Sequence, residues 1–256
     1  MFYRPLGSTG IEVSALGFGT VKLGRNQNVK YPEAFAIPDD DTARALLFLA
    51  QDLGINLLDT APAYGNSEAR LGKLLRGDRQ YWTICSKVGE EFIDGESVFD
   101  FSAEHIINSV ERSLRCLRTD YIDVMLLHSD GNDVAIINSG ALDVLADLKQ
   151  RGWLRAFGMS TKTLEGGLLA AQHSDVVMLT YNLNERDDEA VLDYCQQQQK
   201  GALIKKALAS GHLAADIDDA VRASLALVFA HPAASCAVIG TINKQHLRDN
   251  VSKLPR

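Results

Sequence analysis

Eight short apolar runs alternate with helix-period segments along this chain, and that alternation restricts the fold more than any other feature. The runs lie near Ala15–Phe18, Ile55–Leu58, Trp82–Ser86, Ile122–Leu127, Leu154–Met159, Val176–Thr180, Ala202–Ile204 and Ala237–Ile239. Helical periodicity falls near 40–53, 68–76, 102–118, 139–151, 163–173, 187–199, 219–230 and 243–253. Such repetition sets parallel strands side by side through crossover helices. Because most runs are apolar on both faces, a closed barrel wrapped by helices suits them better than an open sheet. The expected class is α/β: an (α/β)8 TIM barrel with an N-terminal β-hairpin turning at Gly7-Ser8-Thr9-Gly10. Residues 22–38 read as a long loop over the barrel mouth.

Capping residues agree with this reading. Ser102 precedes Glu104 and an apolar-periodic stretch, Asn138-Ser139 precedes another, and Gly152 follows Lys149 and Arg151 as a stop. The 256 residues fit one barrel domain, 1–256, with no linker or low-complexity tract. Hydrophobic residues at 46% and charged residues at 23% are the balance of a compact globular protein.

A net charge of −7 argues against nucleic-acid coating, which needs clustered Lys and Arg. Neither a signal peptide nor an apolar stretch of about 20 residues is present, so the expectation is a cytoplasmic protein without a membrane partner. Four cysteines, 85, 116, 195 and 236, form no CxxC pair, which predicts reduced thiols and no metal site.

Chemistry concentrates at the strand exits. Ile55–Leu58 runs into Asp59, Trp82–Ser86 into Lys87 and Tyr121–Leu127 into His128, with Tyr64 just past the first of these. Exits of parallel barrel strands open on one end, where barrel enzymes keep their active sites. The spacing therefore predicts a catalytic cluster of Asp59, Tyr64, Lys87 and His128. Taken singly, each has a plainer role: a structural His, a rim ion pair, a surface aromatic.

The segment from Gly54 through Asp59-Thr60-Ala61-Pro62-Ala63-Tyr64-Gly65 to Glu68, then Leu71-Gly72, resembles the first signature of the aldo-keto reductases. Ser86-Lys87, Leu126-Leu127-His128, Gly158-Met159-Ser160 and Gly240…Asn250 follow in that family's order, so the resemblance covers nearly the whole chain, in the manner of a short bacterial-type member. It implies hydride transfer between a nicotinamide and a carbonyl carbon, reducing an aldehyde or ketone or running in reverse. Tyr64 would be the proton donor, and His128 would donate a hydrogen bond to the carbonyl. A free tyrosine has a pKa of about 10, and a nearby ammonium favours its phenolate. Lys87 would supply that charge and Asp59 would hold Lys87.

The implied cofactor contacts are Gly19 and Thr20 after the first strand, Ser160 after the fifth, Lys205 and Lys206 after the seventh, and Gly240, Thr241, Lys244, His246 and Asn250 at the last helix. Neither a GxGxxG turn nor a P-loop is present, so the nucleotide would lie on barrel-rim loops. A helix N-terminus opening at Gly240–Lys244 would offer amides to a phosphate.

Three positions depart from the family pattern: Thr161 replaces an Asn, Met178 a Gln, and Lys205-Lys206-Ala207-Leu208 replaces aromatic-Ser-Pro-Leu. His246 stands where an arginine is usual. NADP(H) is favoured and NAD(H) is possible. The chain ends directly after the last helix, so a shallow, open mouth is expected, and the family's common state implies a monomer. A redox-sensing nucleotide binder with little turnover is the main alternative, and a lyase using Lys87 as a Schiff base a further one.

Overall fold

In the computed structural model, which describes residues 1–29, 31–212 and 219–255, the chain opens with an antiparallel hairpin of β1 (Tyr3–Pro5) and β2 (Glu12–Ser14). Strands β3 (Leu16–Gly19), β4 (Leu57–Asp59) and β5 (Thr83–Val88) follow. An outlying antiparallel pair, β6 (Glu90–Ile93) and β7 (Glu96–Phe99), comes next. Then come β8 (Ile122–His128), β9 (Leu154–Ser160), β10 (Val176–Thr180), β11 (Gly201–Lys205) and β12 (Ala234–Ile239).

The strands β3, β4, β5, β8, β9, β10, β11 and β12 close into a barrel in that order, each parallel to its neighbours, with β12 returning to β3. Helices α1 (Val21–Gly24), α2 (Asp40–Asp52), α3 (Ser67–Leu74), α4 (Ala103–Leu117), α5 (Asp133–Asn138) and α6 (Ala141–Gln150) accompany the first five strands. Helices α7 (Leu164–His173), α8 (Glu189–Gln198), α9 (Ala220–Ala230) and α10 (Lys244–Ser252) complete the ring. All eight expected strands are present within a few residues of their predicted bounds.

Two apolar layers hold this arrangement. Leu57, Cys85, Val124, Leu126, Ala156, Met178, Leu203 and Cys236 fill the inside of the barrel, and Leu6, Ile11 and Val13 from the hairpin join them. The outward faces of the same strands pack against the helices through residues such as Leu58, Ile84, Met125 and Leu179, opposite Leu46, Val110, Leu145 and Val191. Apolar runs on both faces of each strand are thus satisfied by two different partners, the physical basis of a closed parallel barrel.

Three N-caps behave as their chemistry requires, and one expected cap does not form. Ser102 accepts from the amide of His105, Asp39 from Thr42, and Thr163 from Gly166. At the expected Asn138-Ser139 cap, Asn138 instead ends α5, and α6 starts after Gly140 in left-handed geometry. No helix among the described residues is long and apolar enough to cross a membrane.

Candidate active site

Asp59 ends β4, Lys87 lies on β5 and His128 ends β8, so barrel closure brings their side chains to one rim. A turn of 3-10 helix, Pro62–Tyr64, carries the phenol over them. Gly65 leaves that turn at φ +64°, and a Cβ there would run into the Gly24 carbonyl, so only glycine lets the turn settle on α1. Lys87 Nζ donates to Asp59 Oδ1 at 2.5 Å, to the Thr60 carbonyl at 3.0 Å and to the Tyr64 hydroxyl at 3.0 Å. The Tyr64 hydroxyl donates in turn to Asp59 Oδ2 at 3.4 Å.

Lys87 is 1% exposed and Asp59 4%. Burial works against the ammonium, but Asp59, by charge and hydrogen bond, together with Tyr64 and Cys85 offsets it and holds Lys87 above its ordinary pKa. Tyr64 moves in the direction opposite to the one the sequence suggests. Burial pushes its phenol up, Asp59 adds to that, and Lys87 opposes both without reversing the result. The hydroxyl therefore keeps its proton near neutral pH.

His128 faces the Tyr64 ring edge-on, with centroids 6.3 Å apart. Its Nδ1 lies 2.7 Å from Glu90 Oε2, off the axis of a well-directed N–H bond. Burial lowers the pKa of His128, Glu90 resists, and Lys87 and Lys205 add to the lowering. For Glu90, burial acts to raise the pKa, but the pairing with His128, Ser97 and Arg25 holds it down to about 2. Ser97 Oγ donates to Glu90 Oε1 at 2.6 Å across the β6–β7 pair. Arg25 lies 3.5 Å over the Phe92 ring and donates to the Ala63 carbonyl, tying that pair to the Tyr64 turn.

A cleft of about 840 Å³ opens above these groups, lined by Asp59, Tyr64 and His128 together with Gly19, Lys205, Lys206, Gly240, Thr241, His246 and Asn250. The loop expected over the mouth contributes Asn28, Val29, Tyr31, Pro32 and Glu33. Lys205 Nζ donates to Ser160 Oγ at 3.0 Å and to the Thr161 carbonyl at 2.5 Å, reaching past β10 to the end of β9. Burial pushes Lys205 down to about 7, and Lys206 adds to the lowering. Thr161 is buried and its hydroxyl has no partner among the described residues. Met178 packs in the barrel interior.

Three expected contacts stand away from the cleft wall: Thr20, Lys244 and Ser160, the last held by Lys205. Thr20 is buried, donating to the Asp59 carbonyl and accepting from Ser67. Lys244 is exposed at the start of α10. The amide cradle expected there is partly taken, because Asn243 Oδ1 accepts from the amides of Gln245 and His246. Sequence reasoning missed Glu90 and Arg25, although Asp94-Gly95 between Glu90–Ile93 and Glu96–Phe99 is a strong two-residue hairpin signal.

The comparisons with known proteins agree with this geometry. Residues 15–224 match the model of the Aldo/keto reductase family. Aldo-keto reductase YhdN of Bacillus subtilis is 31% identical over 83% of this chain and 64% of its own length. L-galactose dehydrogenase of Arabidopsis thaliana is 32% identical over 82% of this chain and 66% of its own length. The chain thus spans just under two thirds of each of these relatives. A solved structure from Pseudomonas aeruginosa, assigned to the aldo-keto reductases, is 55% identical with a TM-score of 0.90, covering 98% of this chain and 93% of its own. With the barrel, the rim cluster and the family match in agreement, this chain belongs to the aldo/keto reductase family.

Proposed function

We propose that this chain reduces a small aldehyde or ketone, or oxidises the matching alcohol, with a nicotinamide cofactor. One observation carries the reading: the run of contacts from Asp59 through Lys87 to the Tyr64 hydroxyl, which ends at the cleft beside His128. A binding module has no use for a proton donor at the cleft with a buried ammonium behind it.

The cleft suits a dinucleotide. Glycine backbone at Gly19 and Gly240 permits close approach, Thr161 offers a buried unpartnered hydroxyl, and Lys205, Lys206 and His246 supply cationic or protonatable groups along the wall. We assign Ser160, Thr241 and Asn250 to the same ligand, with Lys244 reaching from the start of α10 and Thr20 acting through the Asp59 backbone. NADP(H) is the favoured form, because Lys205 and Lys206 line the cleft and Lys244 stands nearby.

A bound reduced nicotinamide supplies the hydride to the carbonyl carbon. Tyr64 holds a proton at its hydroxyl and gives it to the carbonyl oxygen. Lys87 stabilises the phenolate left behind, and Asp59 keeps Lys87 charged and aimed. His128 orients the carbonyl oxygen from across the opening. The Arabidopsis relative is named for oxidising a sugar, so small polyhydroxy carbonyl compounds and alcohols are the first class to try.

Titration with NADPH and NADH, read by cofactor fluorescence and followed by a panel of aldehydes, tests the proposal. Saturable binding followed by loss of the reduced-nicotinamide signal is the expected result. Binding without turnover across the panel would shift the reading to redox sensing.

A further inference from the structure

His128 meets one carboxylate among the described residues, and it arrives from a hairpin that the barrel does not need for closure. Glu90 begins β6, the first strand after the Lys87 strand, and its Oε2 lies 2.7 Å from His128 Nδ1. Both side chains are mostly buried, at 13% and 19% exposed. Ser97 and Arg25 keep Glu90 a carboxylate, since one donates a hydrogen bond and the other brings a positive charge. No described residue bonds His128 Nε2, and the ring lines the cleft.

A neutral imidazole carries one proton, and a carboxylate beside one nitrogen draws the proton to that nitrogen. We propose that Glu90 is a positioning residue that holds the His128 proton on Nδ1, so that Nε2 faces the substrate as an acceptor when the ring is neutral and as a donor only when it is charged. This rests on the carbonyl-reductase reading given above. In reduction the carbonyl carbon takes the hydride, the oxygen takes one proton from Tyr64, and a charged His128 donates a hydrogen bond without losing its own. Alcohol oxidation retraces the same path: the hydroxyl proton passes to the Tyr64 phenolate, the carbinol carbon gives up its hydride to the oxidised nicotinamide, and a charged His128 again donates a hydrogen bond to the oxygen without losing its own proton. The charged ring therefore serves the oxygen in both directions, and Glu90 is the carboxylate that favours it.

The groups facing that ring come from four elements. Glu90 on β6 favours the charged form, while Lys87 on β5 and Lys205 on β11 oppose it. Tyr64 on its 3-10 turn presents a protonated phenol. Removing the Glu90 charge leaves the two lysines unopposed, which lowers the His128 midpoint.

The test is nitrogen NMR on histidine-labelled protein, with His128 assigned by its loss in His128→Asn. The expected wild-type spectrum has the neutral ring protonated on Nδ1. Glu90→Gln should lower the His128 midpoint by about one to two pH units, and the pH above which aldehyde reduction falls should move with it. Glu90→Asp should recover part of the shift. A neutral wild-type ring protonated on Nε2 would overturn the proposal, with no variant required. So would a His128 titration that Glu90→Gln leaves in place. Because tautomer and titration are read without turnover, a protein that reduces no aldehyde yet shows the Nδ1 proton would remove the reductase reading and keep the Glu90 assignment.

Discussion

The two walls of the cleft are built differently. On one wall Asp59, Lys87 and Tyr64 form a closed set of short contacts, drawn from two neighbouring strands and the turn between them. On the other, Lys205 reaches past a whole strand to Ser160 and Thr161, and of these Lys205 and Thr161 stand where the family resemblance leads one to expect other residue types. The first wall pairs its buried charges within 2.5 Å. The second leaves a largely buried ammonium with no carboxylate within 4.0 Å among the described residues. Proton chemistry tolerates little change in its parts, whereas a long ligand touching many residues can be held by a different subset of them.

The largest expected effect breaks the first wall. Tyr64→Phe should cut turnover by about 10²- to 10⁴-fold while cofactor affinity stays within about twofold, since it removes only the proton donor. Stopped-flow reduction and fluorescence titration read the two quantities, and unchanged turnover would end the proposed role. Lys87→Met should also cost stability, by about 3–5 kcal/mol, because it strands the buried Asp59 carboxylate. Denaturant unfolding reads that loss, and Asp59→Asn added to Lys87→Met should recover part of it.

The second wall predicts the reverse sign. Lys205 has a folded pKa of about 7 against an ordinary 10.5, so the unfolded chain binds the extra proton between those values. The penalty for burying the ammonium is full below pH 7, fades as pH rises, and is gone above 10.5. Lys205→Met should therefore raise Tm, by about 2–4 °C or more at pH 6, with the gain shrinking toward pH 10. An unchanged or lowered Tm at pH 6 would mean that the charge is compensated. The smallest effect belongs to His246→Arg, which should improve NADPH over NADH by about tenfold, near the worth of one charge-assisted hydrogen bond.

Much of this was legible in the chain because strands and helices of a barrel announce themselves locally. The run into Asp59 and the run into His128 are readable as apolar segments ending in a charge or proton carrier, and register then brings them together without further instruction. The hairpin carrying Glu90 was harder to see, because Glu90-Glu91-Phe92-Ile93 does not alternate cleanly, β6 is only half-buried and β7 lies largely in solvent. The contact between Lys205 and Ser160 joins residues 45 apart through side-chain reach, which no periodicity encodes. The direction in which Tyr64 moves also depended on burial and on Asp59, quantities that emerge only on folding.

The N-terminal hairpin sits at the far end of the barrel from the candidate site. Leu6, Ile11 and Val13 pack with Leu57 and Val124 in the barrel interior and stopper its floor, opposite the rim where the cleft opens. Under the proposed mechanism the Lys87–Asp59 pair would reach bulk water by way of the Tyr64 hydroxyl. A ligand seated in the cleft would then cover that hydroxyl and close the pair off until it leaves.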